Sequence, residues 1–266
     1  MNTIELAKNI REDCIIATNK ARASHVGSML SIADILAVLY GEVLRQNKKG
    51  KDVFYDKFIL SKGHAGLAVY SALAEIGVLD KKELLETYYQ DGSKFSGHVS
   101  SKGNMGVELS TGSLGQGISA SVGFALARKL DKSDSRVFTL VGNGECNEGS
   151  VWEAVMLAAS KKLDNLVIIV DNNRMQCMGE SKKIIDMSNL AERFYAFGCD
   201  VMEIDGHNHK QIKLALNKKH TKPLVVVANT IKGKGVKMME NNNDYHAKYV
   251  KDAELDAVLA ELRGRA

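Results

Sequence analysis

Two short stretches carry the residue types of a phosphate and metal site. Residues 142–149 read GNGECNEG and residues 171–176 read DNNRMQ, and each follows a short apolar run, Val137 to Val141 and Leu166 to Val170. A tight Gly-x-Gly turn after such a run leaves room for a ligand's phosphates. One β-α-β unit separates the two turns, so both emerge at the same sheet edge, where Asn143 and Asn173 can share one ion. Hard cations such as Mg²⁺ take oxygens from amide side chains and backbone carbonyls and leave positions for phosphate. A carboxylate is the ordinary neighbour of such a cation, so the neutral Asn143 sets a question about how firmly a metal is held.

The elements that must position these turns alternate along the chain. Strand-like runs rich in β-branched residues lie at Phe58 to Leu60, Val137 to Val141, Leu166 to Val170, Val201 to Ile204 and Leu224 to Ala228. Helical patterns fall between and around them, at Ile4 to Ala23, Ile32 to Leu44, Leu67 to Ile76, Gln116 to Leu130, Val151 to Lys161, Asn189 to Phe197, His209 to Asn217 and Ala253 to Leu262. Such alternation predicts an α/β fold, a doubly wound and mainly parallel sheet with helices on both faces. In that architecture ligands bind beyond the carboxyl ends of the strands, where the two turns lie.

Composition narrows the classes. With 45% hydrophobic and 26% charged residues, 266 residues can bury one large core, so a single domain over 1–266 is expected. The balance of 36 Lys and Arg against 32 Asp and Glu is nearly even, and apart from short runs such as Lys48 to Lys51 the basic residues are scattered, which argues against nucleic acid. Cys14, Cys146, Cys177 and Cys199 form no C-x-x-C pair and read as reduced thiols. No apolar run approaches the ~20 residues needed to span a bilayer, so the sequence points to the cytoplasm and not to a membrane.

TGSLGQGISA places Gly115, Gly117 and Ala120 in the G-x-G-x-x-A spacing of a dinucleotide loop. The motif needs a strand before it, and GVELS is a poor one. Nicotinamide or flavin binding is therefore set aside. His207 and His209 in DGHNH are candidates for capping the helix that follows, and His220 for a surface position.

Taken in order, the motifs resemble those of the thiamine diphosphate enzymes of the transketolase type. ASHVGSMLSIADILAVLY, DKFILSKGHAGLAVY and SGH at 96–98 are similar to the family's three histidine segments. STGSLGQG resembles its diphosphate-side glycine loop, and GNGECNEGSVWEA followed by LDNLVIIVDNNRMQ its metal and diphosphate motif. TIKGKG and YHAK resemble the closing segments of its first domain. The resemblance runs nearly end to end and implies the diphosphate-binding domain of the thiamine diphosphate-binding fold.

What the resemblance implies carries over position by position. Asn143 and Asn173 are expected to hold Mg²⁺, with Ca²⁺ a possible substitute, through side-chain oxygens and Met175 through its backbone carbonyl. Gly112, Leu114, Gly144, Glu145, Asn173 and Lys232 are expected at the cofactor. His64 and His246 belong beside the diphosphate and the sugar's hydroxyl groups, His25 and His98 at the reacting carbon, and all four count as catalytic. Lys248 matches a position at the substrate channel, and Glu148 a carboxylate in a proton relay between the two active sites of a dimer. The activity implied is transfer of a two-carbon ketol unit from a ketose to an aldose by the cofactor's thiazolium ring, on sugar or sugar-phosphate substrates.

In the family the glutamate that activates the cofactor lies in a second, pyrimidine-binding domain, which these residues do not match. The expected partner is therefore a C-terminal transketolase subunit carrying that domain, in a homodimer of heterodimers. Asn143 stands where the family has Asp, and Ser113 and Val99 where many members have proline. The first departure leaves an alternative open, a catalytically silent cofactor-binding or regulatory subunit of such a complex.

Overall fold

The computed structural model describes residues 2–47 and 52–264. The basic run at 48–51 and the chain ends lie outside the described residues. Among the described residues seven strands form: β1 (Lys57–Leu60), β2 (Val137–Gly142), β3 (Leu166–Asn172), β4 (Met175–Gln176), β5 (Gly179–Glu180), β6 (Asp200–Asp205) and β7 (Leu224–Asn229). Five make one sheet in the order β1-β2-β3-β7-β6. Every neighbouring pair in that sheet is parallel. β4 and β5 form a small antiparallel ribbon immediately after β3. The fold is thus the α/β class expected from the alternation.

The sheet is covered on both faces, as its uninterrupted apolar strands require. Alternate residues of one strand enter different cores: Val167 and Ile169 of β3 join one cluster, Ile168 and Val170 the other. β7 divides likewise, with Val226 on one side and Val225 and Val227 on the other. The first core is closed by the helices Thr3–Ala21, Val26–Ser31, Ala33–Val38 and Gly66–Glu75, the second by Gln116–Leu130 and Gly149–Ser160. Each fully buried aliphatic side chain contributes roughly 1.5–3 kcal/mol to that closure. The two-residue strands β4 and β5 and the helices Lys81–Thr87 and Ser181–Ile184 escaped the sequence reading, being too short to show a period.

Register does the positioning. Gly142 of β2 pairs with Asp171 of β3, so the turns that follow leave the sheet side by side. The helix Gln116–Leu130 begins on Gly115, whose φ of +83° favours glycine, and a Cβ there would lie 2.1 Å from Ser150 Oγ. Among the described residues no strand runs directly into that turn, which removes the dinucleotide alternative. Among the described residues no helix is long and apolar enough to cross a membrane.

Candidate active site

A cleft of about 380 Å³ opens at the carboxyl ends of β1, β2 and β3. Its walls include His25, His64, His98, His246, Gly112, Leu114, Asn143, Gly144, Glu145, Glu148, Asn173, Met175 and Lys232, which unites every position expected there except Lys248. Lys248 lies exposed, paired at 2.6 Å with Asp244 four residues before it. It is a surface ion pair and not a wall of the cleft. His207 and His209 also lie outside it: the helix cap between them is Asn208, which accepts from Lys210 and Gln211. His220 is half-buried in the loop before β7, where its Nδ1 meets the carbonyl of Lys222.

The four imidazoles form one cluster. His25 lies 5.3 Å from His64, 5.8 Å from His98 and 5.0 Å from His246, centroid to centroid. Their elements explain the meeting: His64 follows β1, His98 comes from a loop, His246 ends the 3-10 turn Asn243–His246, and His25 caps the Val26–Ser31 helix. His25 holds φ at +72°, rare for a residue with a side chain, and its N–H donates to the carbonyl of His246 at 2.9 Å. Burial, with His98 and the ammonium groups of Lys232 and Lys62 nearby, lowers His25 to about 4. Burial, then Lys232 and His25, lowers His246 to about 4, and burial drives His64 well below its ordinary value. These three rings are therefore neutral at pH 7 and each offers one N–H and one lone pair.

Lys232 fixes one tautomer. Its Nζ donates to His246 Nδ1 at 3.1 Å, so the proton of His246 resides on Nε2. Burial first, and then Lys62, lowers Lys232 to about 8. Lys62, which also lines the cleft, and Asp171 beneath it, both passed over by motif reading, form a buried pair at 2.6 Å. Asp171 also accepts from Ser31 Oγ at 2.8 Å, Asn173 Nδ2 at 2.9 Å and Thr230 Oγ1. Burial opposes its charge, yet Lys62 and these donors hold it below the usual carboxylate range. The signal was available, since Lys62 precedes His64 by two residues and Asp171 opens DNNRMQ.

Glu145 lines the cleft with both oxygens already engaged. Oε1 accepts from Ser61 Oγ and from Gly115 N at 2.8 Å, and Oε2 from Gly142 N at 3.1 Å. Burial raises its carboxyl, and the three donors recover part of the shift. Glu145 thus braces the glycine turns and does not offer a free charge to a ligand. Val99, where a proline was the common alternative, donates its N–H to the carbonyl of Gly63 at 2.9 Å, a bond proline lacks. That bond ties the His98 loop to the His64 turn.

The donor set for a cation consists of neutral oxygens. Asn143 Nδ2 donates to Ser181 Oγ at 2.5 Å, which leaves Oδ1 for another partner. Asn173 Nδ2 is held by Asp171 and its Oδ1 accepts from Met175 N at 3.0 Å, so the amide is oriented by both ends. Among the described residues no group of three or more His, Cys, Asp or Glu could hold a metal. Two amide oxygens and the Met175 carbonyl fit a hard cation only when phosphate oxygens supply the negative charge. Gly144 admits no larger residue without movement of Gln176, whose Cγ would lie 3.0 Å from an added Cβ. Glu148 stands on the exposed rim, at the start of the Gly149–Ser160 helix.

A parallel α/β sheet whose carboxyl edge opens on two lysines, a glycine-built turn and clustered neutral histidines defines a protein that binds an anionic cofactor. Residues 3–263 match the family model described as transketolase, thiamine diphosphate binding domain, and the chain belongs to that family. It is 37% identical over 260 residues to a 6-deoxy-6-sulfo-D-fructose transketolase subunit of Clostridium sp. (strain MSTE9), covering 96% of this chain and 94% of that protein. It is 39% identical over 263 residues to one subunit of the apulose-4-phosphate transketolase of Actinobacillus succinogenes, covering 97% and 94%. The transketolase of Campylobacter jejuni superposes with a TM-score of 0.90 at 33% identity over 99% of this chain, which spans only 43% of that longer protein. The match thus falls on transketolase subunits of similar length and on less than half of the longer transketolase.

Proposed function

We propose that this chain is the cofactor-holding half of a transketolase, binding the diphosphate of thiamine diphosphate with a divalent cation and, together with a C-terminal partner, transferring a two-carbon ketol unit from a ketose to an aldose. The observation that carries this is the meeting of His25, His64, His98 and His246 with Lys232, Asn143 and Asn173 in one cleft. When bound, thiamine diphosphate supplies the ring carbon that breaks and remakes a bond beside a ketone. The protein's own part is placement and proton exchange.

Lys232 meets the diphosphate as an ammonium, and Gly112, Leu114 and Gly144 leave room for its approach. Asn143, Asn173 and Met175 offer their oxygens to Mg²⁺, or to Ca²⁺ as a substitute. The neutral rings of His25, His64 and His246 hydrogen-bond the sugar's hydroxyl groups, and the Nε2 proton of His246 is available because Lys232 occupies Nδ1. His98, on the exposed side of the cluster, is placed to exchange protons at the transferred carbon. Residues 1–266 act as one diphosphate-binding domain, and the pyrimidine end of the cofactor is received by the partner. A homodimer of heterodimers pairs two sites, with Glu148 on the rim between them. The names of the relatives carry a sulfo-sugar and a sugar phosphate, which supports sugars or sugar phosphates as substrates.

The test is reconstitution. The purified chain, a candidate partner and their mixture are assayed for ketol transfer over a panel of ketoses, with cofactor retention measured in parallel. Transfer and tight retention are expected only in the mixture. Turnover by the chain alone would refute the need for a partner, and retained cofactor without transfer would establish the silent subunit.

A further inference from the structure

A buried ionic cluster outside the cleft takes no part in the proposed chemistry. Asp34 accepts from Arg11 Nη1 at 3.2 Å and Nη2 at 2.5 Å, from His207 Nδ1 at 2.7 Å and from His209 Nε2 at 3.0 Å. His209 is braced in turn by Thr3 Oγ1 at 2.8 Å. Asp34, Arg11 and His207 lie on three segments far apart in sequence, and none of them lines the cleft.

Two of the side chains on Asp34 also hold the turn around Lys232. His207 Nε2 accepts the N–H of Ile231 at 2.9 Å, which places its proton on Nδ1 and directs that proton at Asp34. Arg11 Nε donates to the carbonyl of Lys234 at 3.0 Å. Residues 231 and 234 flank Lys232, in a turn beyond β7 that has no strand ladder to hold it. On its inner side the turn rests on the helix that His25 caps: Gly233 N donates to the carbonyl of Gly27 at 2.9 Å, and a Cβ on Gly27 would lie 3.3 Å from Lys232 Cγ.

We infer that Asp34, His207 and Arg11 form a clamp that grips the turn on both sides of Lys232 and so aims its ammonium into the cleft, an inference that rests on the proposed contact between Lys232 and the diphosphate. Asp34 is the common anchor. Each arm reads a backbone group, so the clamp sets the path of the turn whatever side chains it carries. The three are positioning residues, acting on the ligand only through Lys232.

The full chain is titrated with inorganic diphosphate in the presence of EDTA, and the acylation rate of Lys232 by a limiting amine reagent is read by peptide mass spectrometry against that of exposed Lys248. His207→Ala is expected to weaken diphosphate by about tenfold, the size of one lost hydrogen bond to a charged network. Lys232 acylation should rise severalfold and Lys248 acylation stay constant. His207→Gln, which restores an acceptor for Ile231, should recover most of both. If His207→Ala does not fold, Arg11→Lys removes the bond to Lys234 while keeping a charge beside Asp34, and the same changes are expected. A lower Tm with diphosphate affinity and Lys232 acylation as in the wild type overturns the clamp. A wild-type chain that binds no diphosphate refutes the role of Lys232 in the proposed function, and the acylation rates then decide the clamp alone.

Discussion

Asn143→Asp is the most informative single change, because it puts a charge among the proposed cation ligands, which are otherwise neutral oxygens. A unit charge ~4 Å from another, at an effective dielectric of about 20, interacts by roughly 4 kcal/mol, and a divalent ion doubles this. Residue 143 is 4% exposed, so the new carboxylate must first lose its water. Ser181 eases this, since its hydroxyl can donate to an oxygen in place of accepting from the amide Nδ2. Buried Asp171 and Glu145, both fully hydrogen-bonded, add repulsion and cannot turn away. Desolvation consumes most of the gross gain. A net of about 1.5–3 kcal/mol, or a ten- to hundredfold lower half-saturating Mg²⁺, is expected. The assay titrates Mg²⁺ into the chain with its partner at fixed thiamine diphosphate, following cofactor retention and transfer rate for both versions. An unchanged midpoint would show that residue 143 does not meet the ion. Transfer by the aspartate version only would make Asn143 an inactivating residue.

His98→Ala should lower transfer roughly 10²–10⁴-fold at unchanged cofactor affinity, and a loss of only a few fold in steady-state rates would return His98 to a solvated role. Lys232 is lowered to about 8, so its ammonium is present below that pH and lost as pH rises through it. Cofactor affinity measured calorimetrically should therefore fall above pH 8, by up to about tenfold per unit, and Lys232→Met should flatten the profile. His25 and His246 are lowered to about 4 and stay neutral in the fold, whereas the unfolded chain takes up their protons below its ordinary histidine range. Stability should accordingly decline as pH falls from about 6.5 toward 4, a trend that thermal unfolding of His25→Asn should show weakened. Lys62→Met leaves Asp171 buried without its cation, and urea unfolding should register a loss of about 3–5 kcal/mol.

The sequence alone determined the sheet and the clustering of its loops. Val137 to Val141, Leu166 to Val170 and Leu224 to Ala228 are apolar without alternation because each is buried on both faces, and that local pattern is sufficient to read them as parallel strands. The turns at Asn143 and Asn173 could be placed at one edge because a β-α-β crossover returns the chain in the same direction. What a strand period cannot carry is the partner of a polar side chain. His207 and His209 looked like caps beside their helix, and only packing brought Asp34, 173 residues before His207, between them. Lys248 looked like a cleft residue by its motif, and the turn of the chain at Asp244 put it in solvent. Glu145 sat inside the phosphate motif, yet three donors from two other segments and its own turn claimed its carboxylate. Buried charge must find hydrogen-bond partners wherever the fold supplies them. Those partners lie at sequence separations set by the topology of the sheet, so only the tertiary structure decided which polar residues face the cleft and which hold it in shape.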